Sequence, residues 1–326
     1  MKLLVLGGTK FLGRHLVGAA LDRGHEVILF NRGRTGPELF PDLEHVLGDR
    51  DGGLTPLQGR SFDGVIDTSG YVPRVVRQSA EVLAGLAGFY AFISTISVYP
   101  DGTAAGYDES APTLELDDPE SENIAADYGA LKAACERIVE EAFPQRCLNV
   151  RAGLIVGPHD PTGRFTYWVT RVARGGLVLA PAPASAPVQL IDARDLAAWT
   201  VEMVGRSEAG VFNATGPAEP LTFGRLLEAC AEATGNRATV TWVDPDFLLA
   251  RDVEPWSELP LWLPGEAGML QAGIGKALDR GLRFRPLEQT AHDTREWAEG
   301  LPEAPGEAGM ARGREAELLG AWRKAS

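Results

Sequence analysis

The sequence predicts an α/β protein built on a doubly wound parallel sheet, and three observations predict it. The chain begins with a short apolar run, "KLLVL", that ends at the paired glycines Gly7 and Gly8. Further apolar runs then alternate with amphipathic helical stretches as far as Pro158. Each run is apolar nearly throughout, the pattern of a parallel strand covered on both faces. Strands and helices that alternate in this way form one sheet with crossover helices on both sides.

Each element has its own warrant. "KLLVLG" is the first strand. Phe11, Leu12, Leu16, Ala19 and Ala20 recur at helical spacing after it, and Gly24 stops that helix. "EVILF" is the next strand, then "GVID", then "YAFIST", and the last two flank the helical "VVRQSAEVLAGLAG". Past Pro158 the alternation loosens. "TYWVTRVARGG" is helical, "APAPASAP" is a loop, "VQLI" and "VFNAT" are strands. "DARDLAAWTVEMV" and "TFGRLLEACAEATG" are helices, the first with Asp residues at its start, the second capped by Thr222 and stopped by Gly235. A last helix surrounds "REAELLGAWR". This gives a dinucleotide-type domain over 1–158 and a smaller domain over 159–326.

Composition narrows the function. The chain has 326 residues, 44% hydrophobic and 23% charged, with a formal net charge of −14. That charge argues against nucleic acid, whose phosphates need a Lys/Arg-rich surface. No apolar run is long enough to span a bilayer, and "MKLLVLGG" is too short an apolar stretch for a signal peptide. Cys135, Cys147 and Cys230 show no metal or redox spacing and fit reduced thiols in a cytoplasmic protein. The five histidines form no ligand pattern, so no metal is expected.

The stretch "LGGTKFLG", Leu6–Gly13, carries the first functional reading. A strand-to-helix turn presents free backbone N–H groups and the positive end of a helix to a pyrophosphate. Gly7 and Gly8 make the turn and Gly13 permits close packing, but Lys10 stands at the middle glycine position. About 20 residues on, a dinucleotide site that grips a ribose hydroxyl has a carboxylate at the end of the second strand. Here the strand ends in Asn31, Arg32, Gly33 and Arg34. Arginines pair with a 2′-phosphate that a carboxylate would repel, so the expected cofactor is NADP(H), with NAD(H) as the other possibility. In "GDRD", Asp49 is placed to meet the adenine.

"DYGALK" carries the second. Tyr128 and Lys132 are four apart, on one helix face. An ammonium beside a phenol favours the phenolate, which can exchange a proton with an alcohol or carbonyl while a hydride moves. "FISTISVYP" ends a strand with hydroxyls at Ser94, Thr95 and Ser97 that can meet the substrate oxygen.

Together, "GGTKFLG", "GDRD", "STISVYP", "YGALK" and "RAGLIVGP" make the sequence resemble the extended short-chain dehydrogenase/reductase superfamily, in its NAD(P)-dependent epimerase/dehydratase branch. The resemblance implies a Rossmann-type fold, with strands from 188–216 rejoining the main sheet and the rest of the second half forming a substrate domain. It implies Thr95, Tyr128 and Lys132 as the catalytic set. The cofactor would be lined by Gly7, Thr9, Lys10, Phe11, Leu12, Gly13, Asn31, Arg32, Arg34, Asp49, Arg50, Ser69, Gly153 and Leu154. It also implies a homodimer acting on a small molecule. Two departures stand out. "GGTK" resembles atypical members, some similar to sugar-nucleotide enzymes and others to plastid RNA-binding proteins. Ile96 and Ser97 stand where nucleotide-sugar dehydratases carry an Asp-Glu pair, which argues against that elimination.

Three readings remain open: an NADP(H)-dependent oxidoreductase, a nucleotide-sugar epimerase that retains its cofactor, and a non-catalytic RNA-binding or scaffold relative. On the substrate side, His159, Asp160, Arg164, Tyr167, Trp168, Trp256 and Trp262 are candidates, each equally readable as core or surface.

Overall fold

The structure is a computed structural model and describes residues 1–235, 238–265, 268–303 and 305–325. The chain opens with β1 (Lys2–Leu6), α1 (Leu12–Asp22), β2 (Glu26–Asn31), β3 (Glu44–Leu47) and β4 (Phe62–Asp67). It continues with α2 (Pro73–Ala84), β5 (Ala87–Thr95), α3 (Ile124–Ala142) and β6 (Cys147–Ala152). Next come β7 (Leu154–Val156), α4 (Arg164–Ala173), β8 (Leu177–Pro181), β9 (Pro187–Val188) and β10 (Leu190–Asp192). After them are α5 (Ala193–Gly205), β11 (Gly210–Ala214), β12 (Leu221–Thr222), α6 (Phe223–Thr234) and β13 (Thr239–Val243). The closing helices are α7 (Pro245–Leu249), α8 (Gly275–Asp279), α9 (Leu287–Glu299) and α10 (Arg312–Ala325).

Two units share this chain. The first comprises Met1–Leu154, Ala193–Thr215 and Ala272–Arg283. Its seven-stranded sheet runs β11-β6-β5-β4-β1-β2-β3, parallel throughout. This is the doubly wound order, with β1 central between β2 and β4. Leu4 faces Ile28 on one side and Val65 on the other. Leu3, Leu4, Val5 and Leu6 are all sealed from solvent, as the unbroken apolar run requires of a strand covered on both faces. Helix α1 packs on α5, and α2 packs on α3. The protein is therefore an α/β fold of Rossmann type. The switch point between β1 and β4 opens at the carboxyl ends of the strands, where ligands of such sheets bind.

The second unit comprises Ile155–Asp192, Gly216–Gln271 and Phe284 onward. Its strands pair in twos, β8 with β13 in parallel and β9 with β12 antiparallel. Helices α4, α6 and α9 pack on one another. Trp168 is fully buried, set edge-on to Phe223 at 5.1 Å, with its indole N–H donating to the Pro260 carbonyl at 2.7 Å.

The units interleave, so one boundary at Pro158 does not divide them. Of the segment 188–216, Gly210–Ala214 lies at the edge of the main sheet beside β6, while Leu190–Asp192 is no part of that sheet. Helix α5 begins at once at Ala193, which leaves this strand only three residues long. Among the described residues, no helix is long and apolar enough to cross a membrane.

Candidate active site

The glycine turn joins β1 to α1. Gly7 and Gly8 take φ values of 102° and 91°, which favour glycine. A Cβ on Gly8 would meet the Leu29 side chain at 2.8 Å. A Cβ on Gly13 would come within 3.0 Å of the Gly8 backbone, so the helix lies directly against the turn. Lys10 is exposed, and its backbone is not in the left-handed region; Phe11 is the residue held there, at φ 39°. The conformational need for glycine therefore falls at 7 and 8, and the packing need at 13. Position 10 tolerates a side chain, which here points a cation into solvent near the turn. The first turn of α1 carries no acidic residue to oppose an anion. On these grounds the turn fits a dinucleotide pyrophosphate.

At the end of β2, Asn31 braces the turn. Its amide donates to the Gly7 carbonyl at 3.3 Å, and its carbonyl oxygen accepts from Gly33 N at 2.8 Å. Arg32 and Arg34 are exposed. Arg32 lies 4.0 Å from Asp49, a contact between half-exposed groups that contributes little. Arg34 pairs with no carboxylate among the described residues.

Arg50 turns inward. Its guanidinium forms a two-pronged pair with Asp67 at the end of β4, both contacts at 2.8 Å. It also donates to Ser69 Oγ at 3.2 Å and Ser79 Oγ at 2.6 Å. The Tyr90 hydroxyl and Ser69 N donate to the same carboxylate. Burial works to raise the Asp67 carboxyl, but the Arg50 charge and its hydrogen bonds outweigh burial and hold it below the usual range. Ser69 Oγ lies 3.5 Å from the Leu6 carbonyl, so this buried cluster stitches β4 to the end of β1 just before the glycine turn.

Thr95 closes β5. Its Oγ accepts from Ser97 N and donates to Ser97 Oγ, both at 3.1 Å, which fixes the hydroxyl at the start of a 3₁₀ turn over Ile96–Val98. Helix α3 lies against that turn through Gly129, where a Cβ would stand only 1.9 Å from the Ser97 carbonyl oxygen. The helix is interrupted at Asp127, which has non-helical φ and ψ of −114° and 20° directly before Tyr128. Tyr128 is half-buried, with its ring 6.4 Å from that of Tyr71. One helical turn further, Lys132 is buried and donates to the carbonyls of Gly70 at 2.6 Å and Ile93 at 2.7 Å. Its ammonium sits 4.0 Å from the centre of the Phe92 ring. An ammonium has three donors, so one remains for a phenolate or a ribose hydroxyl.

Burial lowers the Lys132 ammonium to about 8. An unfolded lysine titrates near ~10.4, so between those values the unfolded chain holds a proton that the folded chain lacks. Stability then rises with pH across this window. Wild type should gain up to about 3 kcal/mol over Lys132→Met between roughly pH 8 and pH 10.5, as read from urea midpoints. Parallel pH curves for the two proteins would contradict it.

Gly153, at the end of β6, donates its N–H to the Ala214 carbonyl at 3.2 Å, and a Cβ there would strike Thr215. Leu154 is buried.

The model of the NAD dependent epimerase/dehydratase family matches residues 74–214. The matched segment holds Thr95, Tyr128, Lys132 and Gly153 but begins after the glycine turn. The whole chain is similar in fold to solved sugar-nucleotide enzymes. UDP-N-acetylglucosamine 4-epimerase from Bacillus cereus is 18% identical, covering 94% of this chain and 99% of that one, with a TM-score of 0.69. UDP-glucuronic acid 4-epimerase from Bacillus cereus, in complex with NAD, is 17% identical, with 93% and 100% covered and a TM-score of 0.68. In sequence, the chloroplast stem-loop binding protein of 41 kDa b of Arabidopsis thaliana is 28% identical over 257 residues, 72% of this chain. The match spans 63% of that relative's length.

Within the matched segment lies a cluster that the sequence pattern did not reveal. Glu136, one turn beyond Lys132, accepts from Ser94 Oγ and holds Arg151 through three contacts of 2.8–3.1 Å. Arg151 donates to Tyr99, and Tyr99 donates to Asn213, both at 2.7 Å. All five side chains are buried. The available signal was Arg151 itself, a cation inside the apolar run "CLNVRA", which must find an anion there.

The substrate-side candidates belong to the second unit. Asp160 is fully buried and accepts from Thr162 N and Oγ, so it fixes a loop. Trp168 and Trp262 are core residues. Arg164 lies over the Trp256 ring at 4.9 Å, His159 is 5.4 Å from the Trp297 ring, and Tyr167 is 4.9 Å from that of Trp168.

Proposed function

We propose that the chain is an NAD(P)-dependent oxidoreductase or epimerase of the short-chain dehydrogenase type, acting at a hydroxyl-bearing carbon of a sugar-nucleotide-like substrate. The observation that carries the reading is that Thr95, Tyr128 and Lys132 gather at the carboxyl edge of the sheet that also carries the glycine turn. The family match and the likeness to UDP-sugar epimerases support it.

NAD(P), when bound by Gly7, Gly8 and Gly13, supplies the hydride acceptor. Tyr128 takes the substrate hydroxyl proton as the carbon gives up its hydride, and returns it in the reverse step. Thr95 turns its one O–H from Ser97 Oγ to the same oxygen while it still accepts from Ser97 N. Lys132 offers its third N–H to the phenolate or to a ribose hydroxyl and holds a positive charge beneath them. An oxidoreductase releases the reduced dinucleotide, whereas an epimerase returns the hydride to the opposite face. A dinucleotide that survives purification and appears only on denaturation would mark the epimerase.

NADP(H) is the preferred form in this reading, because Arg32, Arg34 and Lys10 are exposed cations near the turn. Calorimetric titration should show NADPH binding about tenfold or more tighter than NADH. Arg32→Ala with Arg34→Ala should erase that preference and leave NADH affinity unchanged. A wild type that prefers NADH would overturn it.

A second reading, stem-loop RNA binding, is favoured by the Arabidopsis relative and by the atypical "GGTK". The net charge of −14 opposes it. Retention of a stem-loop RNA at about 150 mM salt would support it, and loss of binding there would remove it. The three buried free thiols support a reducing, cytoplasmic setting. A homodimer, carried over from the resemblance, is tested by sedimentation.

A further inference from the structure

Four arginines and one glutamate line a cleft of about 450 Å³ in the second unit, formed by the end of α4, the start of β8 and the length of α10. This local excess of positive charge stands in a chain whose net charge is −14. The cleft is built on a buried pair. Arg171 contacts Glu315 at 2.7 and 3.0 Å and also donates to the carbonyls of Gly175 and Leu177. Glu315 accepts in addition from Leu179 N at 3.0 Å. Arg171 and Glu315 satisfy one another and pin α10 to α4 and β8.

The other three arginines are not so engaged. Arg174, Arg312 and Arg323 are exposed and pair with no carboxylate among the described residues. By contrast the exposed Arg225 and Arg280 and the partly buried Arg295 each have a carboxylate partner. Each guanidinium at the rim of this cleft gains an oppositely charged partner when an anion binds there. Leu177 and Leu319 give the lining an apolar part. The volume lies within the usual range for small-molecule sites, about 300–1,000 Å³.

We propose that this cleft binds a compact phosphate-bearing small molecule, of the size of a nucleoside diphosphate, through Arg174, Arg312 and Arg323. Guanidinium forks match phosphate oxygens in pairs. A long nucleic-acid backbone fits less well, because it would leave this small basic spot for an acidic protein surface. The site shares no residue with the glycine turn or with the Thr95–Tyr128–Lys132 set, and it does not depend on the proposed activity.

The test is calorimetry with inorganic pyrophosphate at constant ionic strength, in wild type and in Arg312→Glu/Arg323→Glu, with Arg174→Glu as an independent variant. These side chains are exposed, and circular dichroism checks that the variants fold. Pyrophosphate should bind wild type and weaken about tenfold or more in both variants. An affinity unchanged in the variants would place the probe elsewhere, on the glycine turn for instance, and overturn the proposal. So would equal binding of sulfate and chloride, which would mean charge screening alone. Arginine-dependent binding of a stem-loop RNA with no binding of pyrophosphate would replace the small molecule with a nucleic acid.

Discussion

A Tyr128→Phe protein should lose hydride transfer by about 10²–10⁴-fold while binding NAD(P)H as wild type does. The reason is local. The substitution removes one oxygen and leaves the ring, the contact with Tyr71 and the close approach of Gly129 to Ser97 in place. Thr95 remains fixed by Ser97, and Lys132 by the Gly70 and Ile93 carbonyls. What is removed is the hydroxyl that exchanges the proton. The measurement is single-turnover hydride transfer to NAD(P) from a sugar nucleotide that the wild type turns over, followed by nicotinamide absorbance, beside calorimetry of the dinucleotide alone. Thr95→Val is a useful companion, because it removes a hydrogen bond rather than a proton carrier and should cost less. A Tyr128→Phe protein with full activity would assign the proton to another group and remove the basis of the proposed mechanism.

Much of this site was legible because its parts obey local rules. The glycines at 7, 8 and 13 answer to backbone geometry that only a strand-turn-helix imposes, and apolar runs marked β1, β2, β4 and β5, whereas β3 and β6, with His45 and with Asn149 and Arg151 inside them, carried no such run. The spacing of Tyr128 and Lys132 is a property of one helix. What stayed hidden depends on which way a side chain turns. "GDRD" reads the same whether Arg50 faces a cofactor or the interior, and its fork lies on Asp67. Glu136 and Arg151 come from different elements and meet only across the packed sheet. The interleaving of the two units has no local signal either: the resemblance alone implied that "VFNAT" rejoins the main sheet, as it does, and that "VQLI" does so too, which it does not. The return of Gly210–Ala214 to the sheet edge beside β6 is set by packing over many residues, not by any local pattern.

Asp67 is where the second large effect is expected. Its carboxylate is fully buried, and its partners are Arg50, Tyr90 and Ser69 N. Asp67→Asn keeps the shape but leaves the Arg50 charge uncompensated in the interior. Breaking a buried pair from one side costs about 3–5 kcal/mol, a large share of the roughly 5–15 kcal/mol that holds a domain folded. Replacing both partners, as in Arg50→Met/Asp67→Leu, should recover most of that loss, since no charge is then buried alone. Urea midpoints of the wild type, the single and the double variant decide it, and a single variant as stable as wild type would contradict the argument. Acid adds a second signature. A carboxyl held below its unfolded value contributes stability above that value, about 3.9, and loses it as pH falls through the folded one. Wild type should therefore lose its advantage over Asp67→Asn only in acid. The same carboxylate bears on the cofactor. Arg50 holds Ser69, and Ser69 reaches the Leu6 carbonyl that precedes Gly7. If the cluster shapes the turn, the double variant should fold and yet bind dinucleotide more weakly than wild type. If its affinity is unchanged, the turn is held instead by Asn31 and by Thr68, whose hydroxyl also donates to Leu6, and the buried pair serves stability alone.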